Sequence, residues 1–213
     1  MKDNVYIFDV DGTITDSRKR ITDEFKEVFL DLCSREDVYI ITGSDRIKTF
    51  EQIGPLVYEA VKGVWQCNGN EYWEKNRTVN KKDFKLEYET QHYLTNVADK
   101  SPYPIKAGNH IEYRTGMINF SVVGRAATDH QRKDYFEWDC INNERSRIVE
   151  DINRKYKDLH ASKGGEISID IAPRGNNKSE AGNVLKEKYK NIHFFGDRMD
   201  YGGNDYPLAM MIN

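Results

Sequence analysis

Acidic and hydroxyl side chains follow three short apolar runs in this sequence, which cover residues 5–8, 38–41 and 192–195. In chain order, these side chains are Asp9, Asp11, Thr42, Ser44, Asp197 and Asp200. The runs are rich in β-branched and aromatic residues, and each predicts a buried parallel strand. Because open parallel sheets bind ligands beyond the carboxyl ends of their strands, we expect the six side chains to lie close together there.

Carboxylates gathered at one edge of a sheet repel one another unless a cation lies between them. A hard divalent ion with oxygen ligands, most simply Mg²⁺, fits that position. Lys178, at the start of a helix predicted over residues 179–188, would add a positive charge, so the expected ligand is a phosphoryl group. The alternative is that Asp9 and Asp11 only cap the turn after their strand. Three polar clusters that follow three strands in the same way favour the binding site.

The predicted elements alternate strand, helix, strand, helix at the start of the chain, which is typical of a parallel sheet covered by helices. The first helix should begin near Thr22, and Gly54-Pro55 should interrupt or end the second. The same pattern resumes late in the chain. We therefore predict an α/β fold, in which a Rossmann-like parallel-sheet core of residues 1–75 and 178–213 carries an inserted α+β cap domain at residues 76–177.

The cap has a different predicted organisation from the core. It contains strands over residues 109–114, 117–123 and 166–171 and helices over residues 129–138 and 144–159, whereas residues 71–106 are polar and give no clear pattern. The last strand alternates, with Ile167, Ile169 and Ile171 on one face and Ser168 and Asp170 on the other. A sheet with one apolar and one polar face suits a lid, in which helices cover one side and a ligand cleft faces the other.

The composition is that of a folded and highly charged protein. Lys and Arg number 32 and Asp and Glu number 35, a near balance that argues against a general nucleic-acid-binding protein. No run approaches the roughly 18–20 apolar residues that cross a bilayer, and the N-terminus is acidic where a signal peptide is apolar. The three cysteines are far apart and fit reduced thiols, so we expect a cytoplasmic protein with no membrane or nucleic-acid partner.

Five blocks of the sequence form a recognisable series. They are FDVDGTIT at residues 8–15, GSDRIKTFEQIG at 43–54, EYRTGMINFSVVGR at 112–125, GGEISIDIAPRG at 164–175 and FFGDRMDYGGNDY at 194–206. In content and order, the series resembles the eukaryotic-type phosphomannomutases, a family within the haloacid dehalogenase superfamily of phosphoryl-transfer enzymes. The sequence departs from the family pattern at Thr42, where glycine is usual, at Cys67, which replaces glutamate, and at Met199, which replaces threonine.

The resemblance implies a role for each of the core residues that could do chemistry. Asp9 would be the nucleophile that forms an aspartyl-phosphate, which a carboxylate can do when Mg²⁺ and Lys178 neutralise the crowded charge. Asp11 would be the general acid and base that serves the sugar oxygen. Thr42 or Ser44 would donate hydrogen bonds to the oxygens of the phosphoryl group during its transfer.

The resemblance also implies a set of metal ligands. Mg²⁺ would be held by the Asp9 side chain, the Asp11 backbone carbonyl and the Asp197 side chain. Asp200 and Asp205 would support these ligands or replace them.

The cap residues would bind the substrate. The arginines that match sugar-phosphate-binding arginines of the family are Arg18, Arg114, Arg125 and Arg132. Arginine suits this role because its planar fork meets a phosphate through two hydrogen bonds. Ser168 and Asp170 match residues that contact sugar hydroxyls, and their alternation independently places them on the polar face of a strand.

The implied activity is the interconversion of mannose 6-phosphate and mannose 1-phosphate through an aspartyl-phosphate and a hexose bisphosphate, which supplies GDP-mannose synthesis. Hexose 1,6-bisphosphate would be the activator, and a homodimer through the cap is a possible assembly. Two alternatives stay open, a Mg²⁺-dependent sugar-phosphate phosphatase on the same scaffold and a non-catalytic protein that binds sugar phosphates. The arginines favour the mutase, because a bisphosphate that turns over inside a closed cleft needs cations that hold either phosphate.

Overall fold

A computed structural model describes residues 2–212 of the chain, which divide into two compact units. The first unit comprises residues 2–82 and 176–212, and the second comprises Asp83–Gly175. The predicted boundaries, at 75/76 and 177/178, lie a few residues away from this division. The strand that begins at Arg77 pairs within the first unit's sheet, and Asn176 accepts a hydrogen bond from Lys82 of the same unit at 3.2 Å.

The chain forms ten strands and seven α-helices within the described residues. The strands are β1 (Lys2–Phe8), β2 (Val38–Ile41), β3 (Gly63–Gln66), β4 (Glu71–Glu74), β5 (Arg77–Lys81), β6 (Ile111–Arg114), β7 (Met117–Phe120), β8 (Leu159–Lys163), β9 (Ile169–Pro173) and β10 (Tyr189–Phe195). The helices are α1 (Asp23–Arg35), α2 (Arg46–Ala60), α3 (Tyr88–Lys100), α4 (Asp129–Asn142), α5 (Glu144–Lys155), α6 (Ser179–Lys186) and α7 (Tyr206–Ile212). None of these helices is both long and apolar enough to cross a membrane.

The first unit is built on a six-stranded sheet in the order β10-β1-β2-β3-β4-β5. The strands from β10 to β3 run parallel, and β4 and β5 extend the sheet as an antiparallel hairpin. One face packs on α1 and α2, where Ile40 meets Phe29 and Ile53, and the other packs on α6 and α7 through Ile7 and Leu185. Burial on both faces explains the near-continuous apolar runs of the parallel strands. The predicted α/β fold with a parallel sheet is confirmed.

Local capping fixes where the first two helices begin. The Thr22 hydroxyl and the Asp45 carboxylate each accept a hydrogen bond from a backbone amide three residues later, at the starts of α1 and α2, which satisfies an otherwise unpaired donor. Gly54 has a φ of +74° and interrupts α2 directly before Pro55, as the sequence predicts. The start of α2 is therefore held close to the end of β2, where its first turns can carry side chains to the carboxyl edge of the sheet.

The second unit contains a four-stranded antiparallel sheet in the order β6-β7-β9-β8. One face is apolar and shares a core with α3, α4 and α5, to which the strands contribute Ile118, Phe120, Ile169 and Ile171. The opposite face carries a row of polar residues paired across all four strands, formed by Glu112, Asn119, Asp170 and Ser162. The sheet therefore has one apolar and one polar face.

Several predicted element bounds in this part of the chain are wrong. The helix predicted to reach residue 159 ends at Lys155, because Tyr156 is extended, and Leu159 begins β8 instead. The strand predicted to begin at residue 166 begins at Ile169, so Ser168 precedes it. The unassigned residues 71–106 form β4, β5 and α3, and β5 is exposed at every position, so it lacks the apolar alternation that marks a strand.

Candidate active site

A buried lysine joins two carboxylates at the carboxyl edge of the first unit's sheet. Lys178 Nζ lies 2.6 Å from Asp9 Oδ1 and 2.6 Å from Asp205 Oδ1, and both Lys178 and Asp205 are completely buried. Asp9 directly follows β1, Lys178 directly precedes α6, and Asp205 directly precedes α7. Three elements that are distant in sequence therefore meet at one ammonium group.

Asp197 adds a third carboxylate to this cluster. Asp9, Asp197 and Asp205 each offer an oxygen, and these oxygens lie within 4.8 Å of one another. Lys178 and Arg198, whose Nε lies 3.5 Å from Asp197 Oδ2, can balance two of the three negative charges, so the cluster keeps an excess of one negative charge when all three carboxylates are ionised. Hard oxygen donors with excess negative charge suit a divalent cation, and the residues present therefore fit Mg²⁺.

The crowding of carboxylates in a buried place changes the pKa of Asp9 most clearly. Burial raises the pKa of Asp9 to about 8, and the Asp205 and Asp197 charges add to the rise although Lys178 opposes it. Burial would lower the pKa of Lys178, but Asp205 and Asp9 together raise it, so the ammonium stays charged. A cation among the carboxylates favours their charged forms and would return Asp9 to the ionised state that a nucleophile needs.

Asp11 lies in a different environment two residues further on. Its Oδ1 accepts hydrogen bonds from the Arg18 backbone amide at 2.6 Å and from Gln52 Nε2 at 2.9 Å. Its Oδ2 accepts from Lys48 Nζ at 3.0 Å and from Ser44 Oγ at 3.3 Å. Burial alone would raise the pKa of Asp11, but the Lys48 charge and these hydrogen bonds hold it below the usual value. The two aspartates of the first block are therefore tuned in opposite directions, a pattern that suits different roles.

The hydroxyl residues after β2 are both buried at the same edge of the sheet. Thr42 Oγ1 accepts a hydrogen bond from the Ser44 backbone amide at 3.1 Å, and Ser44 Oγ donates to Asp11. Ser44 therefore contacts Asp11 directly, whereas Thr42 stabilises the loop that carries Ser44. Asp200 is exposed and lies outside the Asp9 cluster, and its backbone carbonyl accepts from the Gly203 amide at 2.9 Å.

Gly12 allows the loop after β1 to approach Asp197. Its φ is +87°, and a Cβ at this position would lie 2.5 Å from Asp197 Oδ2. Any side chain would therefore displace a carboxylate that belongs to the cluster, in addition to straining the backbone.

In the second unit, one carboxylate holds two of the predicted substrate-binding arginines. Glu112 Oε1 accepts from Arg114 Nε, and Glu112 Oε2 accepts from Arg125 Nε, each at 2.7 Å. Burial would raise the pKa of Glu112, but Arg114 and Arg125 lower it overall. The side chains of these two arginines are therefore brought together by a single ionised group.

The other two predicted arginines lie elsewhere. Arg132 is buried near the start of α4, with Nε 3.7 Å from Glu166 Oε2. Arg18 is exposed in the first unit, in the loop that follows Asp11, and has a left-handed φ of 64°. Its backbone amide provides the contact with Asp11 described above.

Of the two predicted sugar-binding residues, Asp170 lies on the polar face of the second unit's sheet and Ser168 lies just before the strand that carries it. Asp170 accepts a hydrogen bond from Asn119 Nδ2 at 2.6 Å, and both residues are buried. Ser168 is also buried, one position before β9. Asn119 Oδ1 is buried without a hydrogen-bond partner, so this face retains an acceptor that a ligand hydroxyl could satisfy.

Several residues that contact the predicted site residues were not identified from the sequence, namely Lys48, Gln52, Glu112, Glu166 and Arg198. All of them lie inside the blocks that carry the family resemblance. Lys48 and Gln52 are four residues apart on α2, which places them on one helix face, and Glu112 and Arg114 are two apart on β6, which places them on one strand face. Spacing could therefore have suggested Lys48, Gln52 and Glu112 once Asp11 and Arg114 were chosen.

Comparison with known proteins gives a consistent result. Residues 25–210 match the family model described as eukaryotic phosphomannomutase. The chain is 36% identical to a phosphomannomutase of Dendrobium officinale over 96% of its own length and 84% of that protein. It is 35% identical to a phosphomannomutase of Galdieria sulphuraria over 97% of its length and 85% of that protein.

Among solved structures, the fold is similar to the C-terminal domain of a C. albicans trehalose-6-phosphate phosphatase. The TM-score is 0.61 at 17% identity, and the match covers 92% of this chain and 70% of the other. At that identity the likeness concerns the fold alone.

Proposed function

The chain belongs to the eukaryotic phosphomannomutase family, and from this premise we propose that it interconverts mannose 6-phosphate and mannose 1-phosphate. The observation that carries the proposal is the Lys178 bridge between Asp9 and Asp205, with Asp197 beside it. This cluster holds a nucleophilic carboxylate, a fixed positive charge and a set of oxygen donors in one place. The chain is an enzyme of the phosphomannomutase class.

The first half-reaction transfers a phosphoryl group to Asp9. A carboxylate oxygen of Asp9 attacks the phosphorus of a hexose bisphosphate, and the bond between phosphorus and the sugar oxygen breaks. Asp11, which is ionised at rest, returns to that oxygen the proton that it took from the attacking hydroxyl when the bisphosphate was formed. The second half-reaction runs the same steps in reverse on the other end of the sugar. The hydroxyl of a hexose monophosphate attacks the aspartyl-phosphate, Asp11 accepts its proton, and Asp9 is released.

Lys178 stabilises this exchange because it stays charged and is held beside Asp9 by two carboxylates. Ser44 lies next to Asp11 and can donate to a phosphoryl oxygen. Mg²⁺, held by Asp9, Asp197 and Asp205, with the Asp11 backbone carbonyl as a further ligand, would supply charge neutralisation at the phosphoryl group. Asp200 is exposed and would act only as a supporting residue.

The arginines would bind the phosphate that is not reacting. Arg114 and Arg125 present paired guanidinium groups, and Arg18 and Arg132 would complete the set. Ser168 and Asp170 would contact the sugar hydroxyls from the polar face of the sheet. This supports a mutase, because an enzyme that reacts at both ends of one sugar must bind a phosphate at either end.

The remaining features of the proposal follow from the family. Hexose 1,6-bisphosphate would prime Asp9 and act as activator, and the product would supply GDP-mannose synthesis in the cytoplasm. The protein would form a homodimer through the second unit, which corresponds to the predicted cap. The two alternatives, a phosphatase and a non-catalytic binding protein, are not favoured.

The direct test is ³¹P NMR of the protein with Mg²⁺, mannose 1-phosphate and a trace of hexose 1,6-bisphosphate. We expect a growing mannose 6-phosphate signal that Asp9→Asn abolishes. Asp16→Asn makes the same chemical change at an exposed aspartate in the same loop and should leave the signal intact. Inorganic phosphate as the only product would replace the proposal with the phosphatase, and binding without turnover would replace it with the non-catalytic protein.

A further inference from the structure

Glu112 forms ion pairs with two arginines at the same time. Its two carboxylate oxygens go to two different arginines, Arg114 and Arg125, and each bond is made by the Nε atom at 2.7 Å. Nε is the guanidinium nitrogen nearest the main chain. The carboxylate therefore holds each guanidinium at its inner nitrogen, close to the main chain that carries it.

The backbone holds the three residues in a fixed arrangement. Glu112 and Arg114 are two residues apart on β6, so both side chains leave the same face of the strand. Arg125 follows β7 in a loop whose Arg125 and Ala126 amides donate to the carbonyls of Asn109 and Ala107, at 2.7 and 2.9 Å. Arg125 therefore lies beside the start of the strand that carries the other two.

Gly124 makes this close approach possible. Its φ is +89°, and a Cβ at this position would lie 2.1 Å from the Ala107 carbonyl oxygen. The loop that carries Arg125 can thus pack against residues 107–109 only with glycine at this position. The arrangement of the arginine pair depends on the backbone as well as on the ion pairs.

The charges of this cluster favour an anion. Two arginines and one carboxylate give a net charge of +1, and the carboxylate offsets the repulsion that would otherwise push the guanidinium groups apart. The Arg114 and Glu112 side chains are 9% and 35% exposed. Burial of this degree limits how far the groups can rearrange when a ligand arrives, so the arginines are in place beforehand.

We propose that Glu112 is a positioning residue for the substrate, which holds Arg114 and Arg125 side by side so that the two guanidinium groups together bind one phosphate of the hexose phosphate. The proposal rests on the proposed function and assigns a role to a residue that does not itself touch the phosphate. Each guanidinium is kept in one rotamer, which lowers the entropy that phosphate binding costs.

An amide cannot replace this carboxylate. Glutamine offers one acceptor oxygen, and its NH₂ group repels the Nε–H of the second arginine, so Glu112→Gln releases at least one guanidinium. Electrostatics alone predicts the opposite result, because the substitution removes a negative charge next to two cations and should strengthen phosphate binding. The sign of the change therefore separates a positioning role from a simple effect of net charge.

The experiment measures mannose 6-phosphate binding by calorimetry with the full chain in EDTA, where Mg²⁺-dependent turnover does not interfere. We expect Glu112→Gln to raise the Kd about tenfold, the loss of roughly one good charge-assisted hydrogen bond. With Mg²⁺ restored, KM should rise more than kcat falls. Glu150→Gln, which makes the same change at an exposed position of α5, should bind like the wild type.

A second variant keeps the test decisive if Glu112→Gln does not fold. Glu112→Asp keeps the charge but is one methylene shorter, so it cannot reach both Nε atoms, and it should also weaken binding. An independent readout is the ¹H–¹⁵N spectrum of the arginine Nε–H groups. Two slowly exchanging signals, assigned with Arg114→Lys and Arg125→Lys, should disappear in Glu112→Gln.

The outcomes can be told apart. Binding by folded Glu112→Gln that equals or exceeds the wild type would overturn the positioning role while leaving the proposed function intact. Wild-type affinity in Glu112→Asp would overturn it as well, because charge alone would then suffice. Wild-type protein that neither binds nor converts mannose 6-phosphate would overturn the proposed function, and this proposal with it, whatever the Nε signals show.

Discussion

At the scale of single residues, Lys178 carries the largest share of the site's electrostatic balance. It is fully buried and makes ion pairs with two buried carboxylates. A buried ion pair contributes little net stability compared with apolar residues, but breaking one from a single side is costly because it leaves a buried charge without a partner. We therefore expect this lysine to matter both for folding and for catalysis, and each effect can be measured.

We expect Lys178→Met to lower the free energy of unfolding by about 3–5 kcal/mol and to abolish the mutase activity. The loss occurs because Asp9 and Asp205 remain buried without their shared cation. Urea unfolding followed by circular dichroism measures the first effect, and ³¹P NMR measures the second. Lys188→Met, at an exposed lysine just after α6, is the matched control. Wild-type stability in Lys178→Met would contradict the assignment of the bridge.

Glu112 predicts a pH dependence of stability with a definite sign. Its folded-state pKa lies below the ordinary value of about 4.3, because Arg114 and Arg125 outweigh the effect of burial. A lowered pKa contributes stability that is complete above the unfolded-state pKa and is lost as the pH falls through the folded-state pKa. The side chain is about one-third exposed, so solvent screening keeps the contribution below about 1 kcal/mol.

The measurement compares the free energies of unfolding of the wild type and Glu112→Gln between pH 7 and pH 3. The difference between them should stay constant from pH 7 to about 5 and shrink below about pH 4, where the wild-type carboxyl takes up a proton. A difference that grows as the pH falls would show that Glu112 is not held ionised by the two arginines.

At the scale of elements, the positions of several site residues are set by the short loops that follow the strands. The loop after β7 brings Arg125 against residues 107–109 through Gly124, and the loop after β1 brings Asp11 against α2. Such loops run at the ends of a rigid sheet, where binding and catalytic groups are commonly found. A single backbone change in one of them should therefore affect both stability and binding.

We expect Gly124→Ala to destabilise the protein by about 1–3 kcal/mol, because the residue would have a left-handed φ and its Cβ would collide with the Ala107 carbonyl. Binding of mannose 6-phosphate should weaken as well, since Arg125 would move. Gly165→Ala is the matched control in the same unit, because no atom lies within 4 Å of the added Cβ. Thermal unfolding and calorimetry measure the two effects, and equal behaviour of both variants would rule out the close approach.

The element scale also shows what the sequence could predict. The buried run of β2 is found at the predicted residues 38–41, and α1 begins directly after Thr22, which caps it, because both signals are local. The exposed β5 has no apolar pattern and was not identified. The helix predicted to reach residue 159 stops four residues earlier, since the Tyr156 backbone turns away before the apolar residues of β8 begin.

For the site as well, the sequence predicted the candidate residues but not the contacts that hold them. Asp9 and Asp11 follow from their place after a strand, but the contacts of Asp11 with Lys48 and Gln52 span 37 and 41 residues and depend on how α2 packs. The bridge of Glu112 to Arg125 likewise depends on a loop conformation that a positive φ at Gly124 creates. Sequence patterns identify the groups that do chemistry more readily than the groups that hold them.

At the scale of the whole molecule, the two units have separate apolar cores, and the carboxylate cluster lies entirely in the first. When its three carboxylates are ionised, Lys178 and Arg198 balance only two of the negative charges, so the cluster has an excess of one negative charge when no metal ion is bound. A cation that binds the folded state but not the unfolded state raises the free energy of unfolding by mass action.

We expect Mg²⁺ at ten times its Kd to stabilise the protein by about 1.4 kcal/mol and to raise the melting temperature by about 3–5 °C. EDTA should reverse the shift. Asp197→Asn should reduce it because the variant lacks one donor, whereas Asp16→Asn should not. Differential scanning calorimetry measures the shift, and an equal response in all three proteins would place the cation elsewhere.

The chain leaves the first unit after Lys82 and returns to it at Asn176, which has a consequence for biosynthesis. Asp9 is made early, but Lys178 follows it by 169 residues, and Asp205 comes later still. At about 5–20 residues per second, the ribosome needs roughly 10–30 s to cover that distance. During this interval the nascent polypeptide contains Asp9 without its ammonium partner, so the buried bridge can form only after the last segments emerge and add β10 beside β1.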